Sequence, residues 1–525
     1  MATPQVQLLG LSLLAGFGAC FSNGFLYAYS ASSPVLSGTL GLTQGGVVVL
    51  GVLSQAGLGA FQLPVSMLLR YAKARGTPED RLDRCVVLTC AAMYGAALAS
   101  IAGVLYAAES SAQPWSTPST SPLFAGLAVC FLLWGAAVGL TFQHVTTVAV
   151  SNLQTVSVGY RRMFLAGLSF GVALGGVVFV AVYQTLLRGY PLSSAYFGLA
   201  AWYSASSCLQ LAALRRVRPK SLQPVATVAR VDSADLLPRE PDDVEVSLPA
   251  PAPAPDAPVR AAAEASVSSA PPTPSTSMAS LSTSTSAATT ARAPAGGGGG
   301  VAVVADASLS LASLARSPIA VETMLGGFFG VGVSGTFLAS LGNLLTPQDT
   351  FGLTMTFLGA QALSRLTNAV LYAYNDWSFL FLVWQVLNVL GVVVAAANAD
   401  SESAIYTGAA LCGLAFGGCH SSFPVLCAVA YPGSAADYAR NFGLTMVWVS
   451  AGSVIIGELT SVVLSDTDND HLLEFALFIA LSSLSSAVTL DLGRRLLGKK
   501  RRRALERQVE QAREQPSQRA LAAAE

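Results

Sequence analysis

Apolar positions along this chain gather into runs of about 20 residues, the length an α-helix needs to cross the hydrocarbon core of a bilayer. Six runs occupy the first half, at 7–30, 46–69, 85–107, 122–142, 163–187 and 195–214. Six more follow at 318–341, 351–372, 379–397, 404–429, 442–464 and 472–490. Twelve transmembrane helices are expected, and the fold class is all-α and integral to the membrane. The first charged residue is Arg70, so the beginning of the chain lacks the basic segment of a cleaved signal peptide. The first span is therefore expected to stay in the mature protein.

Composition agrees with that pattern. Of 525 residues, 53% are hydrophobic and 11% charged, with a mean hydropathy of +0.56, whereas soluble domains carry roughly a quarter charged residues. A compact soluble enzyme is excluded. The 29 basic and 29 acidic residues cancel, so no basic excess points to nucleic acid as a partner. Eight cysteines fall inside apolar runs without a CxxC pair and read as small hydrophobes.

The placement of charge then gives orientation. With a cytosolic amino terminus, the even-numbered connections carry Arg70, Lys73, Arg75, Arg81 and Arg84, then Arg161 and Arg162, then Arg215, Arg216, Arg218 and Lys220. The tail adds Arg494, Arg495 and the basic run 499–503. The opposite side holds Arg188 against Glu109, Asp349, Asp400, Glu402, Asp466, Asp468 and Asp470. This asymmetry follows the positive-inside rule and places both termini in the cytosol. The plasma membrane is favoured over an internal one.

Between the halves the composition turns to Ala, Pro, Ser and Thr, with PAPAPAP at 249–255 and GGGGG at 296–300. Too little apolar bulk is present there to offset the entropy of ordering. The expected organisation is a six-helix bundle over 1–215, a disordered cytosolic linker over 216–316, a second bundle over 317–493 and a basic tail over 494–525. The tail segment 499–515 carries opposite charges three residues apart and is expected to be helical when docked, with its basic start near anionic lipid.

The halves also echo each other. A shift of 278 positions pairs Gly135 with Gly413, Gly139 with Gly417, Tyr160 with Tyr438, Arg162 with Arg440 and Phe164 with Phe442. A shift of 311 pairs Gly16, Phe17 and Gly24 with Gly327, Phe328 and Gly335. Repeated six-span halves joined by a long loop resemble the major facilitator superfamily. Within it, NGFLYAYSASSPVLSGTLGLTQ (23–44), AVGLTFQHVTTVAVSNLQTVSVGYRRMFLAGLSFGVALGG (137–176) and FGGCHSSFPVLCAVAY (416–431) are similar to the nodulin-like family and its monocarboxylate-porter-like relatives. The resemblance implies two pseudo-symmetric six-helix bundles around a central cavity lined by the first helices of each half. The superfamily's Gly-x-x-x-Asp-x-x-Gly-Arg loop is replaced after span two by GAFQLPVSMLLRYAKARG (59–76), which lacks the acidic member.

Polar and ionisable groups inside apolar runs are costly and usually face a cavity. Arg365, deep in span eight, reads equally as a bidentate clamp for a carboxylate and as a snorkelling or gating residue. His420 in span ten is a candidate proton carrier, against the commoner role of interhelical hydrogen bonding. The resemblance makes Asn23, Tyr27, Gln143 and Thr336 candidates for substrate contact, weighed against bonds between helices. Glu322 is a helix-end group that would gate the cytosolic mouth if it paired with Arg162 or Arg440. The glycines 167, 171, 175 and 176 form a stripe expected to pack the moving interface between the halves.

No P-loop, zincin, nucleophile elbow or Cys/His metal spacing occurs, so neither enzyme activity nor a cofactor is expected. The reading that follows is a secondary transporter working by alternating access. Its partners are a small solute, with an organic anion such as a monocarboxylate favoured, the lipid bilayer, and protons through His420. The rival reading is a non-transporting membrane sensor or assembly partner whose linker binds a cytosolic protein.

Overall fold

The computed structural model describes residues 4–118, 120–153, 158–187, 189–214, 216, 316–344, 347–374, 377–399, 401–430, 435–466, 471–495 and 498. Residues 217–315 of the linker expected over 216–316 and the expected tail helix over 499–515 lie outside the described residues, as do Arg188, Arg215, Asp400, Asp468 and Asp470.

Twelve spans are present in the expected order. They are α1 (Leu9–Tyr27), α2 (Gly45–Ala74), α3 (Glu79–Glu109), α4 (Pro122–Asn152), α5 (Gly159–Thr185), α6 (Leu192–Ala213), α7 (Pro318–Leu341), α8 (Pro347–Tyr374), α9 (Leu380–Ala397), α10 (Glu402–Ala428), α11 (Asp437–Leu464) and α12 (His471–Arg495). Among the described residues, ten of these are long and apolar enough to cross a membrane on composition alone. The other two, α6 and α8, carry more polar residues, with Ser193, Ser194, Ser204, Ser206 and Ser207 on α6 and Gln361, Ser364, Arg365 and Asn368 on α8. The protein is a multi-pass membrane protein, because only helices that satisfy their own backbone span lipid in this way.

Several helices outrun their apolar stretch. Helix α3 has 31 residues, about 46 Å at 1.5 Å per residue, against a hydrocarbon thickness of about 30 Å. Its first turn therefore carries Glu79, Asp80 and Arg81 beyond the lipid, and the connection to α2 shrinks to a tight turn with Gly76 at φ +85°. Local signals fix other starts. Thr43 caps the helix that begins α2 by accepting from the Gly46 amide at 3.1 Å, and Ser121 caps α4 by accepting from Phe124 N at 3.2 Å, with Pro122 at its first position.

The leading helix of each half departs from regular α geometry in mid-membrane. Helix α1 passes through a 3₁₀ turn at Gly24–Ala28 before continuing as Tyr29–Leu40, and α7 contains a π turn at Gly327–Val331. Such breaks re-aim side chains and are tolerated in lipid only where protein surrounds them.

In the first half α2 packs on α4, α3 on α4 and α6, and α1 on α5; in the second, α10 packs on both α8 and α9. The halves meet where α5 runs along α8 and α2 along α11. Lipid gives apolar helices no reason to prefer one another over acyl chains, so close backbone approach at small residues supplies the association. The glycine stripe on α5 does this inside the first half rather than chiefly between the halves. A Cβ at Gly175 would lie 1.7 Å from the Phe21 carbonyl oxygen, and one at Gly24 would lie 1.8 Å from that of Val172. Gly176 alone of the stripe also reaches α8, at Leu358, while Gly167 faces open space.

Gly175→Ala is expected to force α1 from α5 and destabilise the fold by about 1–3 kcal/mol, whereas Gly167→Ala is close to neutral. Thermal unfolding of the two variants in detergent checks the contrast; equal midpoints would refute the packing role.

Candidate functional site

A cavity lies between the halves, with Asn23 and Tyr27 of α1, Leu58 and Gln62 of α2, Ser169 of α5, Arg365 of α8, His420 of α10 and Phe442 and Met446 of α11 on its walls. The 3₁₀ turn of α1 delivers Tyr27 to this place. Arg365 is 1% exposed. Its Nη1 donates to the Ser169 carbonyl at 2.8 Å, and its Cζ lies 5.5 Å from the centroid of the Tyr27 ring. Nε and Nη2 have no hydrogen-bond partner among the described residues, although the Tyr27 hydroxyl also approaches the guanidinium. Among the described residues no Asp or Glu lines the cavity. A cation–π contact is worth about 0.5–2 kcal/mol, while a buried charge left without its partner costs about 3–5 kcal/mol. The ring therefore offsets only part of the cost, and the site is strongly electropositive.

His420 packs edge-on against the same tyrosine, with ring centroids 6.1 Å apart, and also packs on Phe416 at 4.6 Å. Its Nε2 is buried without a hydrogen-bond partner among the described residues. Four residues singled out in the sequence, Arg365, His420, Asn23 and Tyr27, thus share one cavity. Asn23 is largely committed to joining helices, since its amide donates to Val138 O at 3.3 Å and its carbonyl accepts from Tyr94 OH at 2.7 Å. Gln62, not anticipated from sequence, presents an unpartnered Oε1 to the cavity while its amide donates to Leu58 O. Its only sequence signal was an amide at the end of an apolar run.

The other two candidates for substrate contact are placed differently. Thr336 is buried within α7, where its hydroxyl donates to the Gly332 carbonyl at 2.9 Å, and it is not part of the cavity wall. Gln143 bridges the halves by donating from Nε2 to the Ala439 carbonyl at 2.7 Å. That bond belongs to a closure at the basic end of the bundle, where Arg70 of α2 pairs with Asp437 of α11 at 3.4 Å and the rings of Phe142 and Phe442 lie 5.9 Å apart. At the opposite end Val48 and Val52 of α2 pack against Ala339 of α7 and Val454 of α11, and Thr354 Oγ1 donates to Ser30 Oγ at 3.4 Å. Contacts between the halves therefore lie on both sides of the cavity.

The expected gate pair is not formed. Glu322 pairs with Arg495 of α12 at 2.7 Å, not with Arg162 or Arg440. Arg440 instead contacts Asp437 at 3.6 Å and donates to Asn441 Oδ1 at 3.0 Å and 3.1 Å. The ionic link across the halves is Arg70 with Asp437, two residues that hydropathy alone does not distinguish from ordinary loop charges.

Beside this closure lies a second cluster that the sequence reading passed over, in a cleft bounded by α2, α3 and α4. Arg216, just after α6, donates to both Asp83 oxygens at 2.9 and 3.0 Å and lies 3.9 Å from Glu79, which also pairs with Lys73. His144 Nδ1 lies 3.7 Å from Asp83. Burial works against the charge on Arg216, but its hydrogen bonds to Asp83 and the negative charges of Asp83, Glu79 and Asp80 outweigh it and raise its pKa. The cluster ties the ends of α3, α4 and α6 together in the first half.

No family model matches the chain, and no curated protein sequence matches it. Solved structures do. The human organic anion transporter MFSD10 (TETRAN) superposes over 94% of this chain and 100% of its own, at 14% identity and a TM-score of 0.51. The nucleoside transporter NupG and the major facilitator superfamily transporter FucP in its outward conformation each cover 92% of this chain and 99% of their own, at 12% identity and a TM-score of 0.52. At such identities the likeness establishes the fold: the chain has the major facilitator architecture, twelve helices in two pseudo-symmetric bundles.

A double-mutant cycle of Asp83→Asn and Arg216→Gln is expected to show a coupling of about 1.5–3 kcal/mol, the range for hydrogen bonds between charged groups. Chemical denaturation checks it, and additive effects would mean that the pair does not hold the helix ends.

Proposed function

We propose that the protein is a secondary transporter that carries a small organic anion, a monocarboxylate in the first instance, across a membrane by alternating access. The observation that carries this reading is Arg365, buried between the halves with Nε and Nη2 unpartnered and no acidic side chain on the cavity wall. Two parallel N–H donors on a fixed fork match a carboxylate, and the leucine, valine, methionine and aromatic walls suit a short apolar body. The position of Arg365 between helices of the two halves supports one further inference: an anion bound there touches both, so its binding is coupled to their relative movement. The similarity of short segments to monocarboxylate-porter-like and nodulin-like proteins points the same way, and the similar fold of a human organic anion transporter is consistent with it.

The finer parts of the proposal concern coupling and orientation. His420 lines the same cavity, with Nε2 buried and without a hydrogen-bond partner among the described residues, and is the group assigned here to carry a proton with the anion. The end that holds Arg70 and Arg216 faces the cytosol, with both termini on that side, as the distribution of basic residues requires. In this arrangement the contact of Arg70 with Asp437 and the bond from Gln143 to Ala439 close the cytosolic mouth.

Uptake of radiolabelled monocarboxylates into proteoliposomes tests the reading. Arg365→Ala is expected to reduce it by about 10–100-fold, the equivalent of a lost charge-assisted hydrogen bond, with thermal stability retained; unchanged uptake would reject the clamp. With a proton carried at His420, uptake by the wild type rises as the outside pH falls, and His420→Gln flattens that profile. A profile that His420→Gln leaves intact removes His420 from the coupling.

A further inference from the structure

We propose that Gln62 selects substrates that carry a hydroxyl group, so that the anion taken by the cavity is a hydroxylated monocarboxylate in preference to an oxo or an unsubstituted one. The proposal rests on the anion reading of the same site and concerns a second contact, on α2, apart from Arg365 on α8. Gln62 is 1% exposed and lines the cavity. Helix α2 is interrupted just before it, at Phe61, and there the Leu58 carbonyl accepts from the side-chain amide of Gln62. A carbonyl can only accept, so this bond fixes which end of the amide is which. The nitrogen is used by the chain itself. Oε1 is left over, buried without a hydrogen-bond partner among the described residues.

A buried acceptor left unmet is costly, and a ligand that brings an N–H or O–H relieves it. The polar neighbours on the wall are engaged elsewhere: Asn23 bonds to Val138 and Tyr94, and Arg365 directs Nη1 to Ser169. Of the possible donors on a ligand, an ammonium is disfavoured. It would add a second positive charge to the cavity that holds Arg365, where no Asp or Glu among the described residues lines the wall. A hydroxyl adds no charge, and its oxygen keeps lone pairs for the guanidinium. A keto oxygen in the same place turns its lone pairs toward Oε1, and a methylene leaves Oε1 unmet. Gln62 thereby separates acids of one size by a single group. The apolar walls at Leu58, Val138, Val172 and Met446 cannot do so, because a hydrophobic surface discriminates weakly between isosteres.

The test measures initial uptake of radiolabelled four-carbon acids, at low concentration, by the full-length protein in proteoliposomes, with uptake by protein-free liposomes subtracted. The acids are butyrate, 2- and 3-hydroxybutyrate, and 2- and 3-oxobutyrate. One hydroxy isomer is expected to enter faster than butyrate and than its own oxo acid by about tenfold or more, the effect of meeting a buried acceptor. The methyl ether of that isomer keeps the oxygen without the donor and is expected to lose the advantage, with no change to the protein. Gln62→Leu is expected to bring the ratio toward one, and a ratio does not depend on how much of the variant folds. A wild type without preference for either hydroxy acid, a preference shared by the methyl ether, or a ratio that survives Gln62→Leu overturns the proposal while leaving the anion reading standing. No protein-dependent uptake of any of the acids overturns the anion reading itself, and selection by Gln62 with it.

Discussion

A guanidinium enclosed where two helical bundles meet is the constraint around which the rest of this structure is organised. Arg365 does not discharge, is buried, and among the described residues donates to the Ser169 carbonyl and lies against Tyr27, with Nε and Nη2 otherwise without a hydrogen-bond partner. In a low-dielectric interior such a group is stable only when a negative charge joins it. The surrounding elements serve that requirement. The 3₁₀ turn of α1 brings the face of Tyr27 to the cation, the carbonyl of Ser169 on α5 fixes the fork, and the walls exclude acidic side chains that would satisfy it permanently. On the function proposed above, the entering anion supplies the partner that the fold leaves out.

The remainder of the molecule separates rigid from movable contacts. Inside the first half, backbones touch at Gly24 and Gly175, and the cluster of Asp83, Arg216, Glu79 and His144 ties the helix ends. Between the halves, α5 packs along α8 and α2 along α11, a Cβ at Gly59 would lie 2.0 Å from the Met446 carbonyl oxygen, and polar links run from Arg70 to Asp437, Gln143 to Ala439, Ser450 to Gln55 and Arg365 to Ser169. Exposed ion pairs contribute about 0–1 kcal/mol, so the Arg70 pair with Asp437 adds little to holding the halves together.

Much of this was legible in the sequence. The twelve expected spans are all present as helices, although α6 and α8 carry more polar residues than the other ten, and Arg365, His420, Asn23 and Tyr27 stand out because polar groups inside apolar runs require a reason. Which of them face one another depends on helix rotation and on the 3₁₀ turn of α1, and neither leaves a mark in hydropathy. Thr336 looked like a cavity residue but turns its hydroxyl back to Gly332, a bond that any threonine in a helix has available. Glu322 found Arg495, which lies far along the chain on α12, instead of the arginines suggested by the internal repeat. The cluster around Asp83 was hidden for a different reason. Hydropathy ends a span where lipid ends, so α3 appeared to begin at Cys85 and α4 to finish at Phe142, although both helices continue. The residues on those extensions, Asp83 and His144, then looked like loop charges and an unremarked ring.

The most direct measurement is an electron cryo-microscopy structure of the protein with a transported anion bound. Both carboxylate oxygens should lie about 2.7–2.9 Å from Nε and Nη2 of Arg365, the distance of charge-assisted hydrogen bonds. An anion bound elsewhere while Arg365 keeps the same two nitrogens unmet, or an aspartate or glutamate of the chain found paired with it, would contradict the central claim.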